Sequence, residues 1–431
     1  MWLLLPPRDT LFVVGAMSVV VMTSVRLIQP EWWKARVVRG SVFVAFGGLL
    51  SGVALWTVGH HTNNFPFIFA GAAIAYVGIL VLAPAVLVLP LSAALDRGLV
   101  YVTRPRVAPR DLPLGRETAP RRSLSRRGLL RAGAASLPAI AAAAGASGFA
   151  SATQRPRMPI VPMRYANLHP DLEGFRILQL SDLHLGECLG LDDLEKGLEA
   201  ALAARRPDLI VLTGDLADDP SLIPAALALV ARAAGRHGAL ASLGNHEYLH
   251  SIEVTRPLYE ASTIPLLVSS GRTLHVGRAR LFVGGADDPV FMGGDIAGML
   301  GPSIEGAAAA APAYADFRLL LCHRPEGHAP AAAQGFDLTL SGHTHGGQVG
   351  LLGRSLFEYL RPGTSWWGTY ERARPKTTSA CRTRLGSSPS RLYTTSGFGH
   401  WFPFRLGCPT EMPLIVLERA PGPEAPSTSR V

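Results

Sequence analysis

Residues 175–184 read FRILQLSDLH, an apolar stretch of strand length that is followed at once by aspartate and histidine. Four further apolar stretches end in the same way, in a short polar group: 209–218 (LIVLTGDLAD), 239–247 (ALASLGNHE), 317–323 (FRLLLCH) and 338–345 (LTLSGHTH). Ligand sites in layered α/β folds lie at the carboxyl ends of the strands, so the five polar groups are expected to converge. A lone histidine at a strand end is usually structural, but that reading does not explain five such groups.

The residues between these stretches have helical periodicity. Apolar side chains recur at helical spacing in Leu191–Ala204 and Leu222–Ala234, and Arg280–Val283 is a sixth strand candidate. Asp287-Asp288-Pro289 after it is expected to be an ordinary turn, with a feature of a substrate loop as the alternative. Strands that alternate with helices indicate an α/β layered domain. We place this domain at residues 158–431, which is long enough to bury a full core.

The polar groups contain the side chains that transition metals prefer. Asp182 and His184 can reach one ion from a single turn, and the two oxygens of Asp215 can bridge two ions. His345 is assigned to the first ion, and the second is assigned Asn245, His323 and His343. Glycines at 214, 244 and 342 are expected to let the backbone turn sharply beside the ions. This mixed donor set suits Mn, Fe or Zn better than Ca.

In this order, D-x-H, G-D-x-x-D, G-N-H-E, a single His and G-H-x-H resemble the calcineurin-like metallophosphoesterase superfamily, over roughly Gly174–Glu418. The resemblance implies a two-sheet β-sandwich flanked by helices. Gly346-Gly347-Gln348 and the tail from Ser396 to Glu411 resemble its membrane-associated, twin-arginine-exported bacterial branch, and transmembrane proteins with a metallophosphoesterase domain. The Arg/Ser/Thr-rich stretch Glu371–Pro389 departs from that pattern and is expected to be an insertion or mobile loop.

The resemblance also implies roles for residues outside the ligand set. Two ions sharing Asp215 would lower the pKa of a shared water, so that hydroxide attacks phosphorus in line. His246 is expected to act as general acid on the leaving oxygen, with Asp218 orienting its ring; the alternative for Asp218 is a solvated carboxylate at a helix start. Arg405 and Arg324 are candidates for binding phosphate oxygens, and their alternative is an ordinary surface arginine.

The sequence predicts a membrane-anchored phosphoesterase with two divalent ions, acting on a phosphodiester of a lipid or lipid-linked substrate. Two alternatives stay open: a phosphatase of soluble phosphomonoesters or nucleotides, and a catalytically silent metal-binding accessory of a membrane complex. An intact His246 beside a full ligand set argues against the silent protein.

The aromatic residues Trp366, Trp367, Trp401, Phe402 and Phe404 form either an apolar lip or part of the core. Cys322 is expected to be a buried thiol, and Cys381 and Cys408 are a candidate pair.

Composition separates the two halves of the chain. The 431 residues are 48% hydrophobic and only 17% charged, which excludes a disordered or fibrous protein. Residues 1–157 contain 17 Lys and Arg against 5 Asp and Glu, whereas residues 158–431 have a net charge of −3. A nucleic-acid-binding protein would place its basic surface on the folded domain, so no nucleic-acid partner is expected.

The basic, apolar N-terminal half predicts a membrane region over residues 1–95, with spans at Thr10–Ile28, Val37–Val58 and Phe65–Leu95. Ten arginines lie between Arg97 and Arg131, so residues 96–128 are expected to form a cytoplasmic linker. Residues 129–157 hold a weaker fourth apolar segment after the pair Arg126-Arg127, which resembles a twin-arginine signal with an exit near Ala152. We expect a multi-pass inner-membrane protein with an extracytoplasmic catalytic domain. A transporter or channel is disfavoured, because the three spans contain no Asp, Glu or Lys.

Overall fold

The computed structural model describes residues 143–420, apart from 187–188, 290–294, 361, 375–381, 384–387 and 401. Nearer the N-terminus it describes residues 36–62 and isolated positions between 19 and 74. The chain divides into two compact units, Met1–Phe149 and Ala150–Val431.

The first unit contains a 27-residue helix, Arg36–Thr62, which includes the predicted span Val37–Val58. Among the residues described, no helix has both the length and the apolar character needed to cross a bilayer. The other two predicted spans and the linker at 96–128 lie almost wholly outside the described residues. Of the fourth apolar segment, residues 143–150 are described, and they belong to a helix that continues to residue 152.

The second unit contains two main sheets and two short strand pairs. The strands of the first sheet are β1 (Ile160–Tyr165), β2 (Arg176–Leu180), β3 (Leu209–Thr213), β4 (Ala239–Ser242) and β15 (Leu414–Arg419). Those of the second are β5 (Ser270–Val276), β6 (Ala279–Gly285), β8 (Phe317–Leu321), β9 (Leu338–Ser341), β12 (Gly368–Arg372) and β14 (Ser390–Thr394). The short pairs are β10 (Gly350–Leu351) with β11 (Arg354–Ser355), and β7 (Tyr314–Ala315) with β13 (Arg382–Thr383). The spatial order is β1-β15-β2-β3-β4 in the first sheet and β12-β14-β9-β8-β6-β5 in the second.

Alternation along the strands builds a four-layer core. Side chains of β2 alternate between two apolar clusters: Ile177 packs between the sheets, and Leu178 packs toward the helices Leu191–Ala204 and Ile223–Ala233. On the second sheet, Leu320 packs toward Ile296–Ala309 and His328–Ala333. Strands that are buried on both faces have continuous apolar sequences, so this architecture explains the apolar stretches of the sequence. The predicted two-sheet fold flanked by helices is confirmed.

The second unit also contains three shorter helices, Asn245–Leu249, Ile252–Glu260 and Leu356–Leu360. The predicted insertion Glu371–Pro389 contains the end of β12, which pairs antiparallel with β14, and the short strand β13. Its residues 375–381 and 384–387 lie outside the described part of the chain, so its behaviour as a loop stays a prediction.

Candidate metal centre

The five polar groups lie at the carboxyl ends of β2, β3, β4, β8 and β9. β2, β3 and β4 run parallel in the first sheet, and β8 and β9 run parallel in the second. The two sets of strand ends meet at the same end of the sandwich. As a result, side chains that are up to 161 residues apart in sequence lie within hydrogen-bonding distance.

One group of candidate ligands surrounds a single point. The ligating atoms of Asp182, His184 and His345 all lie within 4.8 Å of one another, and all three side chains are buried. Nε2 of His345 is 3.5 Å from Oδ1 of Asp182 and 3.1 Å from Nε2 of His184. Nε2 of His184 is also 3.7 Å from Oδ2 of Asp215, which connects this group to the next.

A second group lies on the other side of Asp215. The ligating atoms of Asp215, His323 and His343 lie within 4.8 Å of one another. Nε2 of His323 is 3.2 Å from Oδ2 of Asp215 and 3.2 Å from Oδ1 of Asn245. Oδ2 of Asp215 therefore lies near both groups, which is the position that a bridging carboxylate requires.

The hydrogen bonding of these groups fits a bound cation. Nδ1 of His323 is 2.8 Å from the carbonyl of Thr213 and donates to it, so Nε2 faces two oxygens that are both acceptors. Without a cation a proton must take that place: burial lowers the pKa of His323, but Asp215, Asp182 and Asp288 outweigh it and raise the pKa to about 10. Oδ2 of Asp182 is buried without a hydrogen-bond partner. Divalent ions would satisfy these oxygens and displace the proton.

The backbone at the candidate ligands is strained. Five of them adopt the left-handed conformation that non-glycine residues avoid: Asp182, His184, Asp215, His343 and His345, with φ between 49° and 67°. Each such residue costs on the order of 1–3 kcal/mol, and such strain is concentrated at functional sites. Gly214 has a φ of 87°, as expected of a glycine that allows a sharp turn, whereas φ at Gly244 is −115°, which any residue can adopt. A Cβ at Gly342 would lie 2.1 Å from Oδ2 of Asp182, so there the glycine is required by space.

Glu247 ties two of the ligand loops together. Its carboxylate is 1% exposed and accepts backbone N–H bonds from Asp215 (3.1 Å), Leu216 (2.9 Å) and Gly244 (2.7 Å). The hydroxyl of Tyr259 donates a further bond of 2.8 Å. One buried side chain therefore fixes the end of β3, which carries Asp215, relative to the end of β4, which carries Asn245.

Asp218 is surrounded by three histidines. It lies 2.6 Å from Nδ1 of His246, 3.1 Å from Nδ1 of His184 and 3.3 Å from Nε2 of His250. Burial raises the pKa of Asp218, but the three histidines outweigh it and hold the pKa well below its ordinary value. The same contact helps to raise the pKa of His184 to about 9 against the effect of burial. Sequence reasoning missed His250, which follows His246 by one helical turn.

His246 is placed between the candidate ligands and the surface. Its backbone N–H donates to Oδ1 of Asp215 at 2.9 Å, and its ring centroid is 4.5 Å from that of His184. Its side chain is 16% exposed, whereas that of His184 is 1% exposed. His246 is thus accessible from outside while it remains anchored to the centre.

The two arginines lie buried beside the candidate ligands. Arg405 is fully buried, and it donates to the carbonyl of His345 at 2.9 Å and lies 3.1 Å from Nδ1 of that ring. Arg324 is 3% exposed; its Nε donates to Asp288 at 2.8 Å and its Nη1 lies 3.0 Å from Nε2 of His343. The alternative of an ordinary surface arginine is therefore wrong for both. Each contacts one histidine of the G-H-x-H motif, and a role in binding phosphate oxygens stays a prediction.

Asp288 was expected to belong to an ordinary turn, and the structure shows otherwise. It is 1% exposed and forms a buried ion pair with Arg324 through both carboxylate oxygens. Together with Arg324 it forms a support behind His343. The sequence signal was weak, because Asp288 lies in no motif and its partner is 36 residues away.

The remaining predicted side chains are partly described. Phe404 is 7% exposed and Phe402 and Trp366 are half-buried, which agrees with a core position more than with an apolar lip, while Trp401 lies outside the described residues. Cys322 is a buried thiol, as predicted. Cys408 is buried with its Sγ 3.5 Å from the carbonyl of His345, and Cys381 lies outside the described residues, so their pairing is untested.

Residues 175–347 match the family model of calcineurin-like phosphoesterases. An uncharacterized metallophosphoesterase of Campylobacter jejuni is 29% identical over 276 residues, which is 62% of this chain and 65% of that protein. A transmembrane protein with metallophosphoesterase domain of Bos taurus is 30% identical over 51% of this chain and 55% of that protein. The phosphodiesterase YaeI of Escherichia coli is 28% identical over 68% of this chain and 99% of that protein.

The matched residues therefore resemble a calcineurin-like metallophosphoesterase domain. It spans less than two thirds of the length of the Campylobacter and Bos relatives that it matches. The domain covers the described strands from β2 to β9 and includes both groups of candidate ligands.

Proposed function

We propose that the second unit hydrolyses phosphoester bonds with two divalent ions of Mn, Fe or Zn. One observation carries the proposal: Oδ2 of Asp215 lies 3.7 Å from Nε2 of His184 in one group of candidate ligands and 3.2 Å from Nε2 of His323 in the other. The accessible His246 donates its backbone N–H to the same carboxylate. The proposed ligands of one ion are Asp182, His184, Asp215 and His345, and those of the other are Asp215, Asn245, His323 and His343. When bound, such ions supply a Lewis acid and a nucleophile at neutral pH.

The remaining residues have proposed roles in proton transfer and positioning. His246 would donate a proton to the leaving oxygen, since it is the accessible histidine beside the centre. Asp218 would hold the Nδ1 proton of His246 and thereby fix the tautomer and the ring plane. Because Asp218 also contacts His184, it would link the proton donor to a ligand of the first ion.

Variants of the full chain test this proposal. The wild type is expected to hydrolyse bis(p-nitrophenyl) phosphate or p-nitrophenyl phosphate when it is supplied with Mn²⁺, Fe²⁺ or Zn²⁺. His246→Ala should lower turnover by about 10²–10⁴-fold with unchanged metal content, because general acid catalysis contributes roughly that factor. His275→Ala is the matched control, since His275 is exposed on β5. Full activity of His246→Ala would exclude the proposed acid.

We further propose that the substrate is a phosphodiester of a lipid or a lipid-linked molecule, and that the apolar N-terminal half anchors the enzyme in the membrane with its catalytic unit outside the cytoplasm. The apolar segments and basic loops of the sequence support this. The names of two relatives, a phosphodiesterase and a transmembrane protein, agree with it. The competing proposal is a phosphatase of soluble monoesters. Comparison of vesicle-borne phospholipid, soluble diester and soluble monoester as substrates distinguishes them, and a reporter fused after Val431 tests the topology.

A further inference from the structure

The segment that follows the G-H-x-H motif exposes an unusual number of apolar side chains. Six large apolar side chains within residues 351–360 are exposed: Leu351 (54%), Leu352 (88%), Leu356 (36%), Phe357 (38%), Tyr359 (49%) and Leu360 (68%). The exposed large apolar residues elsewhere in the described part of the second unit are Ile160, Leu249, Val254, Met299 and Tyr314, which are scattered. Scattered apolar residues need no explanation, whereas a contiguous exposed group marks a contact surface. We call these six side chains the apolar tip.

The stability of the fold does not explain why a leucine occupies position 352, at the end of the tip. β10 and β11 pair with Leu351 opposite Arg354, so Leu352 and Gly353 form a two-residue turn. Both have positive φ, 51° and 77°. Such turns favour Asn-Gly or Asp-Gly, because a branched apolar side chain is strained at positive φ. Leu352 gains no burial to offset this strain.

The apolar tip is firmly attached to the candidate metal centre. The hydroxyl of Tyr359 donates to the carbonyl of Leu351 at 3.3 Å, which joins the turn to the short helix Leu356–Leu360. The ring of Phe357 stacks on Trp366 at 4.8 Å. The same ring lies against Gly347, where a Cβ would be only 2.2 Å away. Gly347 is two residues from His345, so whatever the tip contacts is held near the centre.

The charges of the segment indicate the kind of partner. Arg354 is an exposed cation on the turn. Glu358 is the acidic residue within residues 350–360, and it is half-buried. Its carboxylate accepts hydrogen bonds from the N–H of Trp367 at 3.2 Å and from the hydroxyl of Tyr370, so its charge is directed inward. The outer surface of this segment therefore combines leucine and aromatic side chains with a positive charge. This combination is typical of protein segments that enter the boundary between lipid headgroups and acyl chains.

We propose that the apolar tip inserts into the surface of an anionic lipid bilayer, with Arg354 at the level of the lipid phosphates. The tip is a narrow turn and a single helical turn, whereas a stable protein interface needs roughly 800 Å² from each partner. Insertion would hold the metal centre close to the bilayer, because Phe357 of the tip lies against Gly347. The contact does not depend on the proposed hydrolytic activity, and it can be tested separately.

A site-specific probe in the full chain tests the insertion. An environment-sensitive fluorescent amino acid is placed at position 352 and, as the control, at position 299, because Met299 is 56% exposed elsewhere on the unit. The protein is reconstituted in phosphatidylcholine vesicles with and without phosphatidylglycerol, and with brominated acyl chains as quencher. We expect quenching at 352 that is several-fold stronger than at 299, and stronger in the anionic vesicles. Equal quenching at the two positions would overturn the proposal.

Paired variants distinguish insertion into lipid from contact with protein. Leu352→Asn combined with Leu360→Asn should abolish the quenching of a probe at 356 while hydrolysis of a soluble diester is unchanged. Asparagine tolerates positive φ, so the turn should keep its fold. Met299→Asn is the matched control and should change neither readout. If the probe at 352 is already shielded from aqueous iodide without vesicles, or becomes shielded as the protein concentration rises, the tip contacts protein and the proposal is wrong.

Discussion

The carboxylate of Glu247 accepts the backbone N–H of Asp215 at 3.1 Å, so a buried acid holds the residue that lies near both groups of candidate ligands. The same carboxylate accepts the N–H of Gly244, which precedes Asn245. The spacing between Asp215 and Asn245 therefore depends on a side chain that ligates neither ion in the proposed scheme.

Glu247→Gln replaces one of the two acceptor oxygens by an amide donor that faces backbone N–H groups. We expect metal affinity to fall by about 10–100-fold, as it does when groups that orient ligands are removed. The cost in folding stability should be about 1–3 kcal/mol for the unsatisfied groups. Metal titration and denaturant unfolding measure the two effects. Glu253→Gln, at an exposed glutamate, is the control; unchanged metal affinity in Glu247→Gln would contradict the proposed role.

Asp218→Asn tests whether Asp218 and His246 act as a unit. The carboxylate of Asp218 can accept the Nδ1 proton of His246 through either oxygen, whereas the amide of asparagine can accept it only through one. We therefore expect kcat to fall by about 10²–10⁴-fold, as for His246→Ala. The double variant should then be little worse than either single variant, because residues that act together are not additive. Independent, multiplicative losses would show that Asp218 acts mainly through His184.

Arg405→Lys separates support of His345 from substrate binding. Lysine keeps the charge but loses the planar fork that reaches both the carbonyl and the ring of His345. We expect lower retention of metal and a lower kcat, with KM little changed. A variant that retains its metal and shows only a raised KM would instead indicate that Arg405 binds phosphate.

His328 is expected to make folding stability depend on pH. Burial and the charge of Arg372 lower its pKa from 6.5 to about 4, and its Nε2 has no hydrogen-bond partner. The unfolded chain therefore binds a proton between pH 6.5 and 4 that the folded chain does not, so this histidine reduces stability as the pH falls through that range. The effect approaches about 3 kcal/mol near pH 4.

His328→Leu should flatten this dependence, measured as the difference between the unfolding midpoints at pH 7 and pH 4.5. His275→Leu, at an exposed histidine, should leave the difference unchanged. If both variants keep the slope of the wild type, His328 is not buried in its neutral form.

The sequence predicted correctly those strands and helices whose residues are continuously or periodically apolar. Phe317–Leu321 and Leu191–Ala204 were predicted with the bounds that the structure gives, because β8 and this helix are continuously or periodically apolar. β15 and β5 were missed as strands of the sheets: β15 pairs with β2, which is more than 230 residues away, and β5 is a half-buried edge strand.

At the candidate metal centre too, residues in local motifs were predicted, whereas pairings between residues far apart in sequence were not. Asp182 and His345 each stand in a short motif directly after an apolar run, so strand ends alone predicted that they would meet. Asp288 and the buried contacts of Arg405 depend on pairings across 36 and 60 residues. No local sequence pattern indicates which residues pair over such separations, so the contacts of the two arginines with the ligand loops could not be predicted.

The central claim is that two ions share Asp215, and the metal content of the purified full chain tests it most directly. After loading with Mn²⁺ or Zn²⁺ and removal of free metal, mass spectrometry should find close to two ions per chain in the wild type. His323→Ala should retain about one ion, because His345, His184 and Asp182 still surround the first position, while Asp215→Asn should lose both. One ion per chain in the wild type, or an Asp215→Asn variant that keeps both ions, would contradict the account.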